Sequence, residues 1–310
     1  MRRIGFVIPF TASLQRRSRI VLVLHGGAGT IPRASLTPDV EQQYREMLLH
    51  ALRNGHAVLA AGGSSVDAVV ASIVVLEDSP LFNAGRGSVF TRDGRNEMDA
   101  AIMHGGTLQA GAVANVSVIR NPIRAARAVM ERSPHVLLAG HGAEAFAAAA
   151  GLETADPSYF HTERRWEEKE SGTVGAVALD GNGDLAAGTS TGGMTNKLEG
   201  RIGDSPIIGA GTYAANDAVA VSCTGSGEAF IRCTAASEIA ALCRYRHLSV
   251  EDAGREVVHH KLRFVGGWGG AIVLDRSGRF AMPFNSEGMY RGWIDEEGLG
   301  RVGIYGEAER

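Results

Sequence analysis

Gly172-Thr-Val-Gly-Ala-Val-Ala-Leu-Asp180, the turn Gly181-Asn-Gly183 and the return run Asp184–Thr189 decide how this chain folds. The first run has the period-two pattern of a strand, Gly-Asn-Gly is a hairpin turn signal, and the second run is again short and apolar. With the turn centred on Asn182, Thr173 stands opposite Thr191, and opposed residues lie about 4.5–5.5 Å apart. Two hydroxyls then meet at the open end of the hairpin. Thr173 also follows Gly172 and a polar stretch, a place where a chain can be cut. A cut there makes Thr173 N-terminal, and its α-amine, with an ordinary pKa of about 7.7–8.0, can act as base for its own hydroxyl. An ordinary strand threonine has the same spacing, and spacing alone favours that plainer reading.

Around this hairpin the chain reads as mixed helix and strand. Arg19–Leu24 is a buried strand ending in His25-Gly-Gly-Ala-Gly-Thr30. Thr37 and Pro38 are an N-cap and a first-turn proline, and the helix they open runs to about Ala61 before Gly62-Gly63. A second helix, Ser65 to about Asp78, is rich in valine and alanine. Residues 86–119 read as short strands, including Ala110–Ile119; Asn121-Pro122 opens a capped helix and His141–Ala150 forms another. The charged run from Asp156 to Glu170 reads as a linker extending to about 172, since charge runs are usually solvated. Val219–Thr224, Gly270–Leu274 and Phe280–Phe284 read as strands and Glu228–Tyr245 as one helix. The order predicts stacked helix and sheet layers with much antiparallel pairing.

Bulk composition excludes several classes. The chain has 310 residues, 45% hydrophobic and 21% charged, which fits a globular protein of one or two domains. Its 41 glycines are about 13% of the chain, nearly twice the usual ~7%, without a collagen period. A net charge of -3 and 6% aromatics argue against nucleic-acid and anionic-membrane partners. Cys223, Cys233 and Cys243 form no CxxC pair and read as reduced thiols of a cytoplasmic protein. No apolar run reaches the length of about 18 residues that a membrane helix needs. Residues 1–19 carry Arg2, Arg3, Arg16, Arg17 and Arg19 around a short apolar stretch broken by Pro9, and read as a disordered extension, with a cleaved export signal as the alternative.

Stock motifs fail their tests. Gly188-x4-Gly193 has Met194 where a P-loop needs lysine, and His25-Gly-Gly-Ala-Gly lacks the third glycine of a dinucleotide fingerprint. Gly188-Thr-Ser190-Thr-Gly192 fits the G-x-S-x-G nucleophile elbow, which would make Ser190 the nucleophile of a serine α/β-hydrolase. That motif requires a helix straight after the serine, and Gly193–Gly200 has no apolar helical face.

Taken together, seven segments resemble the plant-type asparaginase/isoaspartyl peptidase family of N-terminal nucleophile hydrolases. They are His25-Gly-Gly-Ala-Gly-Thr30, Pro80-Leu-Phe-Asn-Ala-Gly85, Gly172–Asp180, Thr189-Ser-Thr-Gly-Gly193, Gly200-Arg-Ile-Gly-Asp-Ser-Pro206, Thr224-Gly-Ser-Gly-Glu228 and Pro283-Phe-Asn-Ser-Glu-Gly-Met-Tyr-Arg291. They span about residues 20 to 293 in the family's order. The resemblance implies an α+β four-layer αββα sandwich, two stacked and mainly antiparallel sheets between helix layers. It implies one hydrolase domain over 20–310, self-cleaved between Gly172 and Thr173 into an α subunit (1–172) and a β subunit (173–310). The reaction implied is hydrolysis of L-asparagine, of β-aspartyl dipeptides, or of both, through an acyl-enzyme on Thr173.

The resemblance also assigns roles. Thr191 would orient the nucleophile, and Asn83 with Thr224 and Gly225 would form the oxyanion hole. Arg201 would pair with the substrate α-carboxylate, whose geometry suits a guanidinium fork. Asp204 would hold the α-ammonium, with help from the Gly225 to Gly227 backbone. No organic cofactor is implied; a structural Na+ is, through backbone carbonyls of Leu76, Glu77, Ser79, Phe82, Ala84 and Arg86. The expected assembly is a dimer of αβ heterodimers. Two features depart from the family: the stretch before Gly172 is short, and Trp268 stands in Gly266-Gly-Trp-Gly-Gly270 where small residues are common. A glycosylasparaginase-like amidase is the nearest rival reading.

Overall fold

A computed structural model of the chain describes residues 20–29, 31, 36–167 and 172–306. The expected extension (1–19) and residues 168–171 of the expected linker lie outside these. The first half runs β1 (Val21–Gly29), α1 (Pro38–Ala60), α2 (Ser65–Asp78), β2 (Met98–His104), β3 (Ala110–Val116), α3 (Pro122–Arg132), β4 (Leu137–Ala139), α4 (Gly140–Ala149) and α5 (Glu163–Glu167). The second runs β5 (Val174–Leu179), β6 (Leu185–Thr191), β7 (Thr212–Ala214), β8 (Val219–Gly225), α6 (Gly227–Cys233), α7 (Ala235–Arg246) and α8 (Val250–Arg255). A π-helical turn Glu256–Lys261 leads into α9 (Leu262–Phe264), followed by β9 (Gly269–Asp275), β10 (Phe280–Ala281), β11 (Gly288–Ile294) and β12 (Gly300–Tyr305).

The strands form an eight-stranded sheet, β12-β11-β1-β5-β6-β2-β3-β4, and a four-stranded sheet, β10-β9-β8-β7. Every ladder between these strands is antiparallel except β3 with β4. Alternation sorts the strand side chains into separate cores. On β1, Leu22 and Leu24 face a core shared with α1, α2 and α3 (Leu48, Ile73, Val129), whereas Val21 and Val23 face Ala220, Ile272 and Leu274 of the small sheet. Val219, Val221 and Val273, on the other side of the small sheet, pack with Ile239 of α7 and Val250 of α8. Three cores between four layers make the expected αββα sandwich.

The helices that press on the large sheet start where the sequence predicts. Thr37 caps α1 by accepting from Val40 N at 3.4 Å, and Ser64 caps α2 by accepting from Asp67 N at 3.1 Å, each cap contributing about 1 kcal/mol. The buried face of α1, with Tyr44, Leu48, Ala51, Leu52, Gly55 and Leu59, follows helical spacing. Truncating Leu48, which is fully buried, to alanine would cost about 2–5 kcal/mol.

Four local expectations differ from the structure. The strand expected over Phe280–Phe284 covers only Phe280–Ala281, with Phe284 in an isolated bridge to Gly270. The single helix expected over Glu228–Tyr245 is two, broken at Thr234 with φ 44°. The N–H groups opened by the break are taken by another segment: Ala236 N donates to Ala210 O and Ser237 N to Gly209 O. Asn121 makes no side-chain cap on α3; it donates to Asp78, and the buried Glu77 accepts from Ile123 N at 3.0 Å instead. In the expected linker, residues 157–160 form a 3-10 turn and 163–167 form α5. Phe160 and Arg165 are buried there, and Arg165 Nη2 donates to Leu81 O at 2.6 Å. A run of charges hides those two anchors, because each is satisfied by a partner far away in sequence.

Candidate functional site

The hairpin has the expected register: Val174 pairs with Ser190 and Leu179 with Leu185. Asp180 closes the turn, accepting from Asn182 N and Asp184 N through one carboxylate oxygen and from Ser65 N of α2 through the other. That second contact fixes the hairpin against the helix layer. At the open end Thr173 Oγ1 donates to Thr191 Oγ1 at 3.1 Å. Thr191 in turn donates to Gly172 O at 3.1 Å and accepts from Gly193 N at 2.9 Å.

Asn83 approaches the same carbonyl from the loop after α2. Its Nδ2 donates to Gly172 O and to Gly193 O, both at 2.7 Å, while its Oδ1 accepts from Val89 N at 2.9 Å. The carbonyl preceding Thr173 therefore receives two donors, one amide and one hydroxyl. Such a pair is what a developing oxyanion needs. Gly172 itself is not in the left-handed region, and a Cβ there would make ordinary contacts of 3.6–3.9 Å. Backbone strain at Gly172 therefore supplies no drive for a cut. The unusual backbone lies across from it at Gly27, φ 116°, where a Cβ would stand 3.0 Å from Gly172 Cα and 3.2 Å from Thr173 N.

A cleft beside these atoms is lined by Gly172, Thr173, Thr191, Arg201, Asp204 and Gly225, with Met194 and Trp268 also in its wall. It holds about 20 Å³, room for a single water. Larger hollows of about 650 and 460 Å³ lie elsewhere, around Phe264 and around Arg291, and neither contains a nucleophile with a paired donor set. Chemistry, not volume, identifies the site.

Arg201 is held before any ligand arrives. Its Nε and Nη2 each donate to one oxygen of Glu228 at 2.9 Å, and the guanidinium keeps that carboxyl below its ordinary range. Nη1 lies on the side of Gly193 and Gly203. Asp204 is fully buried, and its Oδ2 has no hydrogen-bond partner among the described residues. Burial pushes its pKa up to about 7, despite the nearby Arg201. A cation arriving at Asp204 would restore its charge. Gly227 sits between these two groups: a Cβ there would lie 2.7 Å from Arg201 Nη2 and 3.1 Å from Asp204 Oδ1.

Thr224 is set back from the cleft, buried, with Oγ1 accepting from Ala28 N at 3.1 Å, while Gly225 reaches the wall. Trp268 is about two-fifths exposed at the cleft and is fixed by its backbone to Ser226. Ser190 lies on the opposite face of β6 from Thr191, fully buried, donating to Glu77 Oε1 at 2.6 Å, with no helix following. This overturns the serine α/β-hydrolase alternative: Ser190 is no exposed elbow nucleophile.

Three side-chain roles escape the sequence reading. Glu228 stands within the Thr224–Glu228 segment, and an acid three residues after Gly225 was the available signal for the Arg201 clamp. Glu77 is fully buried under Ser190, and desolvation pushes its pKa up to about 8. Lys197, almost wholly buried, donates to Glu97 O at 2.7 Å beneath Gly193. Neither residue has a local signal.

Of the carbonyls expected to bind an ion, those of Leu76 and Glu77 lie in the last turn of α2 and the other four in the loop after it. At Gly85, φ 53°, a Cβ would stand 2.3 Å from Glu77 O, and at Gly87 one would stand 2.0 Å from Phe82 O. The glycine backbone thus packs close against these carbonyls, and carbonyl oxygens suit a hard cation, but those of Leu76, Phe82 and Ala84 already accept from Ser79, Ala84 and Gly87 N. No cluster of three or more His, Cys, Asp or Glu suited to a metal occurs among the described residues.

Comparison with known proteins identifies the family. The chain matches the asparaginase family over residues 18–171 and 166–304. It is 50% identical to the isoaspartyl peptidase of Salmonella typhimurium across 94% of this chain and all of the relative. It is likewise 50% identical to the isoaspartyl peptidase of Escherichia coli, over 93% and 97% of the two chains. The isoaspartyl peptidase/L-asparaginase of Bos taurus is 42% identical over 87% of this chain and 91% of the relative.

Proposed function

Because the chain belongs to the asparaginase family and is a hydrolase of small molecules, we propose that it cleaves L-asparagine to L-aspartate and ammonia, and β-aspartyl dipeptides to aspartate and an amino acid, after cutting itself between Gly172 and Thr173. The observation that carries this reading is the double donation of Asn83 and Thr191 to Gly172 O, with the Thr173 hydroxyl 3.1 Å from Thr191. Thr173 Oγ1 adds to the Gly172 carbonyl carbon, the C–N bond breaks, and the hydroxyl proton goes to the departing amine. The resulting ester is hydrolysed by water, leaving a Gly172 carboxylate and a free Thr173 amine. A cleft of about 20 Å³ is too small for asparagine, so departure of the Gly172 end also makes room for substrate.

In the cut protein the Thr173 amine takes the proton of its own hydroxyl, and Oγ1 attacks the side-chain amide carbon of the substrate. Asn83 and the Thr224 to Gly225 segment stabilise the oxyanion. Ammonia or the amino acid leaves with that proton, and water then releases aspartate from Thr173. Arg201, aimed by Glu228, takes the α-carboxylate through Nη1. Asp204, beside Gly227, takes the α-ammonium, whose charge would draw the raised pKa of the carboxyl back down. A Na+ bound by the carbonyls of Leu76, Glu77, Ser79, Phe82, Ala84 and Arg86 would stiffen the loop that carries Asn83. The working assembly is a dimer of αβ heterodimers, in the cytoplasm; the three free cysteines suit that compartment, and no described helix is long and apolar enough to cross a membrane.

Intact mass of fresh and aged protein tests the reading together with release of ammonia and aspartate from asparagine, a β-aspartyl dipeptide and a glycosylated asparagine. Two fragments meeting at Gly172/Thr173 are expected, with Thr173→Ala remaining one inactive chain. Full activity in an uncut chain would refute it.

A further inference from the structure

The ring of His25 lies in a buried row of polar groups that ends on the nucleophile's own peptide. His25 Nδ1 is 2.8 Å from Thr173 O, and Nε2 is 2.9 Å from Ser222 Oγ. Ser222 Oγ is 2.7 Å from Thr189 Oγ1, and Thr212 donates to Thr189 at 2.6 Å. All four side chains are fully buried. The row runs from β7 of the small sheet to β6, back to β8, and on to β1 and the residue before β5.

The direction of the protons nearest Thr173 is fixed by what each group can do. A carbonyl only accepts, so Nδ1 carries the hydrogen. Burial holds the imidazole neutral, with its pKa lowered to about 3, so Nε2 accepts and Ser222 donates. Ser222 has one proton and has spent it, so Thr189 donates to Ser222 and accepts from Thr212. From Thr189 to Thr173 O the hydrogens thus point one way, with Thr212 at the far end shared between Thr189 Oγ1 and Ser205 O at 3.0 Å, and such chains strengthen each link.

Two independent features show that the backbone is built around this row. The β1–β5 ladder ends at the pair His25–Gly175, and against β11 the strand bulges between His25 and Gly27. Thr173 O therefore takes its hydrogen from the His25 ring. At Gly175 a Cβ would stand 2.0 Å from Ser222 Oγ and 2.5 Å from His25 Nε2. Only glycine leaves the gap through which the histidine–serine bond passes.

We propose that His25 is a positioning residue for the nucleophile: its Nδ1–H holds the Thr173 carbonyl, and Ser222, Thr189 and Thr212 fix the tautomer that allows it. The role rests on Thr173 being the nucleophile, and it matters most after the cut. Gly172 then no longer restrains Thr173 from its amino side, and the carbonyl anchor sets where the amine and hydroxyl point.

The test compares His25→Ala, His25→Asn and Ser222→Ala as cut, purified proteins, with kcat and KM for asparagine. Asparagine's Nδ2 falls near the place of Nδ1 and can still donate to Thr173 O, without reaching Ser222. A misplaced nucleophile costs on the order of 10²-fold in rate, so His25→Ala should lose about that in kcat with KM within about threefold. His25→Asn should recover about tenfold of the loss, and Ser222→Ala should fall between. Equal kcat in His25→Ala and His25→Asn, or a loss confined to KM, overturns the proposal. Nitrogen-15 NMR of imidazole-labelled wild-type protein tests it if the alanine variant does not mature. The His25 signal, assigned by its loss in His25→Asn, should be the neutral Nδ1–H form at pH 6; an Nε2–H form or an imidazolium there overturns it. Thr173→Ala with residual wild-type activity would instead refute the nucleophile itself, whatever His25 does.

Discussion

Replacing Asn83 isolates the oxyanion contribution to the self-cut, because both of its N–H groups have assigned partners. One goes to Gly172 O and one to Gly193 O, each at 2.7 Å, and Oδ1 holds Val89 N. When Thr173 Oγ1 adds to the Gly172 carbon, the carbonyl oxygen gains charge under two donors. Losing one such donor costs about 2.7–4 kcal/mol, or about 10²–10³ in rate. Asn83→Ala should slow the cut by that factor. Asn83→Asp should be slower still, since it keeps the acceptor for Val89 N but turns a carboxylate oxygen toward Gly172 O and Gly193 O. The ground-state cost is smaller, about 0.5–1.5 kcal/mol for each ordinary hydrogen bond lost, which a domain with about 5–15 kcal/mol of stability survives. The assay is a time course of intact mass after rapid purification, with a urea titration of each variant as the folding control. A variant that folds with wild-type cooperativity and cuts within about threefold of the wild-type rate would refute the role given to Asn83.

Other perturbations test separate parts of the site. Asp204 has a raised pKa of about 7 in the empty site, so kcat/KM should fall as pH drops through that value and the carboxylate takes up its proton. In Asp204→Asn one ionisation should vanish from the profile, measured by ammonia release between pH 5 and 9. Glu77 has a folded pKa of about 8 against an ordinary 4.5. The folded state binds its proton more tightly, so that stability is full below about pH 4.5 and is lost as pH rises through about 8. Glu77→Gln keeps an acceptor for Ser190 and Ile123 N and should melt higher than wild type at pH 9, with the gap closing toward pH 5 in calorimetry. Trp268→Gly should widen the cleft, lowering KM for β-aspartyl dipeptides with bulky second residues while leaving asparagine within about twofold; unchanged relative KM values would remove Trp268 from the cleft wall.

What the sequence makes legible here is what local chemistry determines. A Gly-Asn-Gly turn fixes register, so the turn alone pairs Thr173 with Thr191. Thr37, Pro38 and Ser64 mark helix starts because caps act within a few residues. Other features depend on distant partners. Thr234 breaks a helix whose exposed N–H groups are met by residues 209 and 210, and no glycine or proline announces it. β11 and β12 have mixed patterns because β12 lies at the sheet edge. Nothing local marks the Glu77 side chain as buried, yet α3 and β6 enclose it. Arg201 enters as an anion binder only through the family resemblance, and its clamp by Glu228 needs the fold to bring residues 201 and 228 together.

The strand order of the large sheet has a consequence for life after the cut. Divided at Gly172, the order β12-β11-β1-β5-β6-β2-β3-β4 gives β1 and β2 to β4 to the first fragment and the others to the second. The two pieces are braided: β1 lies between strands of the second fragment, and β5 with β6 lies between strands of the first. Neither piece can peel away without dismantling the middle of the sheet. The uncut chain refolds as one molecule, but the cut one must find its other half, so its recovery from unfolding depends on concentration. If the chain cuts itself as proposed, maturation would work as a ratchet: the protein would fold while it is one chain, and afterwards persist by the height of the unfolding barrier, not by an equilibrium it can revisit.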